Sequence, residues 1–349
     1  MSRRIYLIRH AMPDIPLGER WCLGGRTDTP LGAVGLMQAA LLGAVPELRT
    51  VSAVFCSRLI RSRQTALPLC ADPIRVAGLE EQDMGVWDGL SFTQIRQHYP
   101  ELYAAREADP SLLPEGAESL EQVAARMQAA LLSCLEQSTG DIAVVSHKSA
   151  IASLVGHRSE LGYTSISVLE TDGAHLRPSR IAWRAHPPLT EALCLELLPI
   201  AGADEALIAH CRAVADLADE LCLALLEQGI LLDRDMIHAA ALLHDIAHAH
   251  PAHPALGAAW LRELGYPAEA EIVRQHHDPG STALNEAALV FLADKAVRGA
   301  ERVSLTERFD RSAAKCRTPE AVSAHARRRA AAEELRDRVN ALCGRTLIP

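Results

Sequence analysis

No two of the nine cysteines stand at C-x-x-C spacing, which excludes a zinc ribbon and a dithiol redox motif. Cysteines scattered singly fit a reducing compartment. No apolar run approaches the length that a membrane helix needs, so no membrane partner is expected. The first apolar run, Ile5–Ile8, reads as a strand and not as a leader, and a cytoplasmic location is the expectation. A basic excess is missing too: 35 Lys and Arg stand against 44 Asp and Glu, a formal charge of −9. Nucleic-acid phosphates are held by clustered Lys and Arg, so no nucleic-acid partner is expected. The short run Arg327–Arg329 lies beside Glu333 and Glu334 on a helical pattern and reads as a solvated helix face. Repeats and low-complexity tracts are absent.

What remains is an ordinary globular composition, 49% hydrophobic and 23% charged over 349 residues. That length exceeds a usual single core, and two domains are expected. Up to about residue 185, short apolar runs alternate with helical patterns. The strand candidates are Ile5–Ile8, Val51–Phe55, Ile74–Val76, Ile142–Val145 and Ser165–Leu169. The helical patterns include Leu31–Leu42, Gln64–Cys70 and Leu120–Leu135. Such alternation predicts an α/β sandwich with a mostly parallel sheet. The segment His186-Pro187-Pro188-Leu189-Thr190 reads as a linker. Beyond it strand signals fade and Ala- and Leu-rich helical patterns take over. Residues 1–188 and 189–349 are the expected domains, the second all-helical.

In open α/β sheets, sites form where strands end. Here the first strand candidate runs into Arg9-His10, the second into Cys56-Ser57-Arg58-Leu59-Ile60-Arg61, and the fourth into Ser146-His147. The third is followed by Leu79-Glu80-Glu81. Two histidines, arginines and a carboxylate would gather at one sheet edge. Neutral imidazole is a competent nucleophile toward phosphorus. Arginine forks match the oxygens of a transferring phosphoryl group. A nearby carboxylic acid can protonate the departing alkoxide and then activate water. This chemistry requires no metal.

Several motifs agree in order: Ile8-Arg9-His10, Gly25-Arg26-Thr27-Asp28 with Pro30-Leu31, Cys56 to Ala66, Leu79-Glu80-Glu81 with Trp87-Asp88-Gly89, Pro114 to Ser119, and Val144-Val145-Ser146-His147. Together they resemble the histidine phosphatase superfamily, which contains cofactor-dependent phosphoglycerate mutases and α-ribazole phosphatases. The resemblance covers about residues 3–180. It implies that His10 is the nucleophile, Arg9 and Arg61 bind phosphate, His147 is the second pocket histidine and Glu81 is the proton donor. Glu80 is the rival acid. Arg58 and Arg63 are expected at the sheet surface or the substrate tail. Ala11 stands where the family has a glycine after the nucleophile, and Lys148-Ser149 replace the glycines common after the second histidine. The short stretch between Glu81 and Glu118-Ser119 favours a phosphatase of small esters over a mutase.

The helical half carries a second constellation. His210, Val214, Leu217 and Leu221 fall on one helical stripe, as do Ile237, Ala241 and His244, with Asp245 adjacent. Asp294 shares a face with Val290 and Val297, and Ile272-Val273 lead one turn later to His276-His277. Buried aspartates need each other's partners or a cation. The order His210, His244-Asp245, Asp294 resembles the HD phosphohydrolase superfamily over about residues 205–300. It implies a primary metal set of those four residues, with His253, His276 and His277 completing a second position. Imidazole with carboxylate suits Mn, Fe, Ni or Mg over a structural zinc. Such a centre would lower the pKa of bound water and polarise a phosphate ester. The basic residue often found three after the Asp is His248 here; His238 and His250 are not expected to bind metal. The whole chain reads as two phosphate-cleaving units acting on small phosphorylated metabolites or nucleotides. The alternative makes the helical half a nucleotide-binding regulator of the first.

Overall fold

The computed structural model describes residues 3–349 except 17, 158, 173 and 174. The chain divides into two compact units between Pro187 and Pro188. In the first, a six-stranded sheet has the order β3-β2-β4-β1-β5-β6. Its members are β1 (Arg3–Arg9), β2 (Ala53–Cys56), β3 (Ile74–Arg75), β4 (Ile142–Ser146), β5 (Ile166–Thr171) and β6 (Leu176–Trp183). Strands β1 to β4 run parallel, while β5 and β6 add an antiparallel edge. The sheet is therefore mostly parallel, as expected.

Helices cover both faces, which is why the central strands are apolar on both sides. Ile5, Leu7, Ile142 and Val144 pack with Val123, Met127 and Leu131 of α5 (Leu120–Glu136) and Ile151 of α6 (Lys148–Val155). Tyr6, Ile8, Ala143 and Val145 face the other way, toward Leu42 of α1 (Ala33–Gly43) and Ala66 of α2 (Ile60–Ala66). Side chains alternate along a strand, so each strand feeds both cores. Ile5, Leu7 and Ile8 are completely buried, and each contributes roughly 1.5–3 kcal/mol. The loop after β1 is pinned to α1 at Gly35, where a Cβ would overlap the Met12 carbonyl oxygen. The helices α3 (Phe92–His98) and α4 (Pro100–Ala108) lie between β3 and α5 in sequence. Ser91 starts α3, and Ser119 starts α5, through a reciprocal capping box with the Gln three residues on.

Two elements depart from expectation. The helix read over Gln64–Cys70 instead begins at Ile60, because the Ile60 N–H donates to the carboxylate of distant Asp28 at 2.6 Å. Strand β6 gave no sequence signal: it contains Pro178, is largely solvent-exposed and pairs only with β5.

The second unit is helical apart from a hairpin of β7 (Val297–Arg298) and β8 (Glu301–Arg302). It comprises α7 (Glu191–Ile200), α8 (Glu205–Leu226), α9 (Arg234–Leu243), α10 (His253–Leu264), α11 (Pro267–Gln275), α12 (Glu286–Lys295), α13 (Leu305–Ala313) and α14 (Pro319–Cys343). Asp204, Asp233, Asn285 and Ser304 cap α8, α9, α12 and α13 with their side chains. Such caps are typically worth about 1 kcal/mol each. Leu217 and Leu221 of α8, Ile237 and Leu242 of α9, Val273 of α11 and Phe291 of α12 are all buried. These helices carry the second constellation.

Candidate functional sites

The ends of β1, β2 and β4 meet at one edge of the first sheet. His10 follows β1, and its backbone N–H donates to the Ser146 carbonyl at 2.9 Å. His147 follows β4, and the two imidazoles lie with centroids 4.9 Å apart. Both rings are buried. Burial, followed by the charges of Arg61 and Arg9, holds the His10 pKa well below the ordinary histidine value. Burial and Arg61 do the same for His147. Both rings are therefore neutral near pH 7. The His10 Nδ1 lies 2.7 Å from the Ala11 carbonyl. A carbonyl only accepts, so Nδ1 carries the proton and Nε2 keeps the nucleophilic lone pair.

Arg61 is completely buried. Its Nη atoms donate to the carbonyls of Thr27 at 2.6 Å and Gly24 at 3.0 Å, while Nε has no partner. The loop that receives it is organised by Asp88, which accepts from Thr27 Oγ1 and the N–H groups of Gly24 and Arg26. Arg9 donates to the Leu161 carbonyl and lies 4.0 Å over the Tyr163 ring. His147 Nδ1 is also buried without a partner. A buried guanidinium donor left open in this way, as at Arg61 Nε, marks an anion site.

The two carboxylates separate cleanly. Glu81 accepts from the backbone N–H groups of Ser149 and Ala150 at the start of α6, at 3.0 and 3.2 Å, and from Gln82 at 2.8 Å. Glu80 instead binds Arg58 at 2.7 Å and the Gly78 N–H, and Arg58 and Gly78 hold its carboxyl below the usual range against its burial. Of the two, Glu81 is the one electrostatically coupled to Arg61. Arg58 and Arg63 are exposed.

Three contributors carried no site expectation. Ser57 Oγ lies 2.7 Å from His147 Nε2 and fixes that ring; its place inside the arginine motif was the available signal. Arg126 of α5 donates to the carbonyls of Gly78, Glu80 and Glu81 and forms an ion pair with Glu118 at 2.9 Å. It binds the strip that presents Glu81. Tyr163 precedes Thr164, whose φ of 56° places it in the left-handed region, a costly conformation for a β-branched residue. Nothing in the local sequence signals either Arg126 or Tyr163.

In the second unit, His210 projects from α8, and His244 and Asp245 stand at the end of α9. His253 opens α10, His276 and His277 close α11, and Asp294 lies in the last turn of α12. The structure brings all seven together. His210 Nε2 is 3.4 Å from Asp294 Oδ1, and His244 Nε2 is 3.8 Å from the same oxygen and 3.6 Å from Asp245 Oδ2. His253 and His276 approach Asp245 Oδ1 at 3.2 and 3.5 Å. His277 packs against His253 and His276, with centroids 4.7 and 4.4 Å away.

The hydrogen bonds behind these rings decide what the cluster needs. His210, His244 and His276 turn Nδ1 to the carbonyls of Gly299, Ala241 and Val273 at 2.9, 2.7 and 2.6 Å. Each carbonyl accepts a hydrogen bond from Nδ1, so Nε2 of each ring points inward, toward carboxylate oxygens; against its burial, Asp294 holds the His210 pKa above the ordinary value. Burial lowers the His244 pKa to about 4 and that of His277 to about 2. Asp294 is buried, yet Lys295, 2.5 Å from its Oδ2, and His210 hold its carboxyl well below the usual range. His244 Nε2, Asp245 Oδ1 and His276 Nε2 are buried without hydrogen bonds. The lone pair of the neutral His244 Nε2 faces oxygens of Asp245 and Asp294 across 3.6 and 3.8 Å, a repulsion that a cation between them relieves. The donor set fits a divalent metal whose ligands are oriented by backbone carbonyls. His248, on the cavity side, meets Asp245 Oδ2 at 3.0 Å. His238 pairs with Asp219, and exposed His250 accepts from the Ala252 N–H; neither joins the cluster. Among the described residues no helix is long and apolar enough to cross a membrane.

Comparison with known proteins follows the same division. Residues 207–299 match the HD domain. A protein of Mycobacterium tuberculosis named as bifunctional is 30% identical over 191 residues, 49% of this chain and 51% of that one. Glucosyl-3-phosphoglycerate phosphatase of the same species is 33% identical over 129 residues, 36% of this chain and 57% of its own. The chain spans about half the length of the curated relatives it matches. A solved mycobacterial glucosyl-3-phosphoglycerate phosphatase aligns over 53% of this chain and all of its own, at 27% identity and a TM-score of 0.44. Residues 5–185, just over half of the chain, match the histidine phosphatase superfamily (branch 1), and the chain belongs to that superfamily.

Proposed function

We propose that the first unit hydrolyses a small phosphate monoester through a phosphohistidine on His10. The observation that carries this reading is a neutral, buried imidazole with its Nδ1 proton held by Ala11, beside the buried Arg61. The Nε2 lone pair attacks phosphorus as the ester bond to the leaving oxygen breaks. Arg9, Arg61 and His147 meet the charge of the phosphoryl oxygens. Glu81 gives a proton to the departing alkoxide, then takes one from the water that cleaves the phosphorus–nitrogen bond. The products are an alcohol and inorganic phosphate, and His10 is regenerated. No metal takes part in this sequence.

The second unit is proposed to be a metal-dependent phosphohydrolase acting on a nucleotide or related phosphoester. His210, His244, Asp245 and Asp294 would hold one divalent ion, and His253, His276 and His277 would complete a second position; ligand atoms of His210, His244 and Asp294, and those of His253, His276 and His277, each lie within 4.8 Å of one another. The ion, when bound, supplies an acidified water and a Lewis acid. The chain's own residues orient three of the rings through carbonyls, and burial keeps His244 and His277 neutral. The decisive experiment is phosphate release from a panel of phosphorylated metabolites, with and without chelator, by the full chain and by His10→Ala. A chelator-resistant activity that disappears in His10→Ala, together with a chelator-sensitive one that survives it, is expected. A single activity indifferent to both treatments sinks the reading.

A further inference from the structure

The metal-ligand cluster opens onto a cavity of 660 Å³, a volume suited to an organic molecule and generous for one phosphate group. Asp245, Asp294, His210, His253 and His277 form part of its lining, and Leu207 and Ile246 add apolar wall. Two arginines line it as well, and they differ. Arg298 is neutralised by Glu307 at 2.7 Å. Arg308, half-buried on α13, makes no side-chain hydrogen bond or ion pair with any described residue. It forms no ion pair with Asp245 or Asp294, which line the same cavity. Its backbone is fixed: Ser304 caps α13, and Leu305 and Phe309 on the same helix are buried in the unit's core. A half-buried guanidinium held on a rigid helix at a cavity wall lacks one thing, an anion.

We propose that this cavity takes a phosphate ester bearing a second anionic group, and that Arg308 binds that second group. The proposal rests on the metal-dependent reading of the second unit, in which the ligand cluster holds the first phosphate. One charge-assisted contact to the second group strengthens binding by roughly tenfold or more. A ligand with one phosphate and a neutral tail gains nothing from Arg308. The substrate class is thus a bisphosphate or a phosphorylated acid, with a short apolar or neutral segment between its anionic ends.

The test uses the full chain with His10→Ala, which silences the first site, loaded with Mn. Manganese content is measured first by elemental analysis. Paramagnetic broadening of the phosphorus resonance, which reads binding at the Mn site alone, is then titrated with propane-1,3-diol monophosphate and its bisphosphate. The bisphosphate should reach half-saturation at about tenfold lower concentration. Arg308→Gln should erase that preference while leaving the monophosphate titration unchanged, and Arg308→Lys should keep part of it. Equal affinities in the loaded chain, or a preference that survives Arg308→Gln, overturn this inference alone. A chain that takes up no manganese overturns the metal reading and this inference with it.

Discussion

The two sites are electrical opposites. The first gathers two guanidinium groups and two neutral imidazoles around an open, buried donor at Arg61 Nε. The second gathers two ionised aspartates and the inward-facing lone pair of His244 around open acceptors. One lacks an anion and the other a cation, yet both deficits suit phosphate chemistry. A phosphoryl group can be met directly by fixed cations, or it can be met through an ion that the protein must first acquire. The sign of an uncompensated buried charge says which strategy a site uses. Removing the group that defines each side tests that assignment.

The largest effect is expected on the anion-seeking side. His10→Ala should lower aryl phosphate hydrolysis by on the order of 10⁴-fold or more, as loss of a covalent nucleophile does, and chelator should change nothing in the parent chain. Rapid quench followed by mild base should trap phosphate on His10 and none in the variant. Undiminished turnover in His10→Ala would show that His10 is not the nucleophile. Glu81→Gln should slow esters with poor leaving groups by roughly a hundredfold and activated esters far less. A plot of rate against leaving-group pKa reads this directly. If Glu80→Gln steepens that plot in its place, the choice between the carboxylates is wrong.

On the cation-seeking side, His244→Ala with Asp245→Ala should abolish bound metal while leaving the His10-dependent activity intact. A ligand present at 100 times its dissociation constant stabilises by about 2.7 kcal/mol. Metal loading should then raise the melting transition of the parent's second unit by on the order of 5 °C or more, and that of the variant not at all. Equal metal content in parent and variant would make the cluster a hydrogen-bonded core. On the first side again, Arg126→Lys keeps a charge but loses the fork that binds three carbonyls of the Glu81 strip. About a tenfold loss is expected, confined to poor leaving groups. A uniform loss across all esters would show Arg126 acting on the fold alone.

Much of this was legible because it is local or ordered along the chain. Strands such as Ile5–Ile8 and Ile142–Val145 declare themselves by apolar runs, and the rule that sites form at strand ends turns them into a position for His10 and His147. Helical stripes exposed His210 and His244 as apolar-face oddities. The illegible parts depend on partners far away in sequence. Helix α2 starts early because Asp28 caps it, and Arg126 matters because α5 passes beside the Glu81 strip. Strand β6 hides because a solvent-exposed edge strand with one pairing partner needs no alternating pattern. Arg308 hides for a different reason: an arginine on a polar helix is common, and only the cavity beside it gives it meaning.

The smallest expected effect is a flat line, and it tests the electrostatics that set the two sites apart. An ordinary histidine titrates near 6.5, so at pH 5.5 about nine in ten such rings would be protonated and their nucleophilic lone pairs lost. Burial, Arg61 and Arg9 hold His10 well below that value. The neutral ring therefore persists as the pH falls, and the loss arrives only near its own lower pKa. With an activated aryl phosphate, whose departure needs little help from Glu81, kcat should change less than about twofold between pH 7.5 and 5.5. Arg61→Gln should move the acid limb to higher pH, because it removes one of the causes that depress the His10 pKa, while burial and Arg9 still hold it down. The same depression has a cost for the fold. Below pH 6.5 the unfolded chain binds protons that buried His10 and His147 refuse, so the first unit loses stability as the pH drops from 6.5 toward the folded-state values. A profile of kcat that falls about tenfold by pH 5.5, while circular dichroism shows the chain still folded, would mean that burial, Arg61 and Arg9 do not hold His10 neutral.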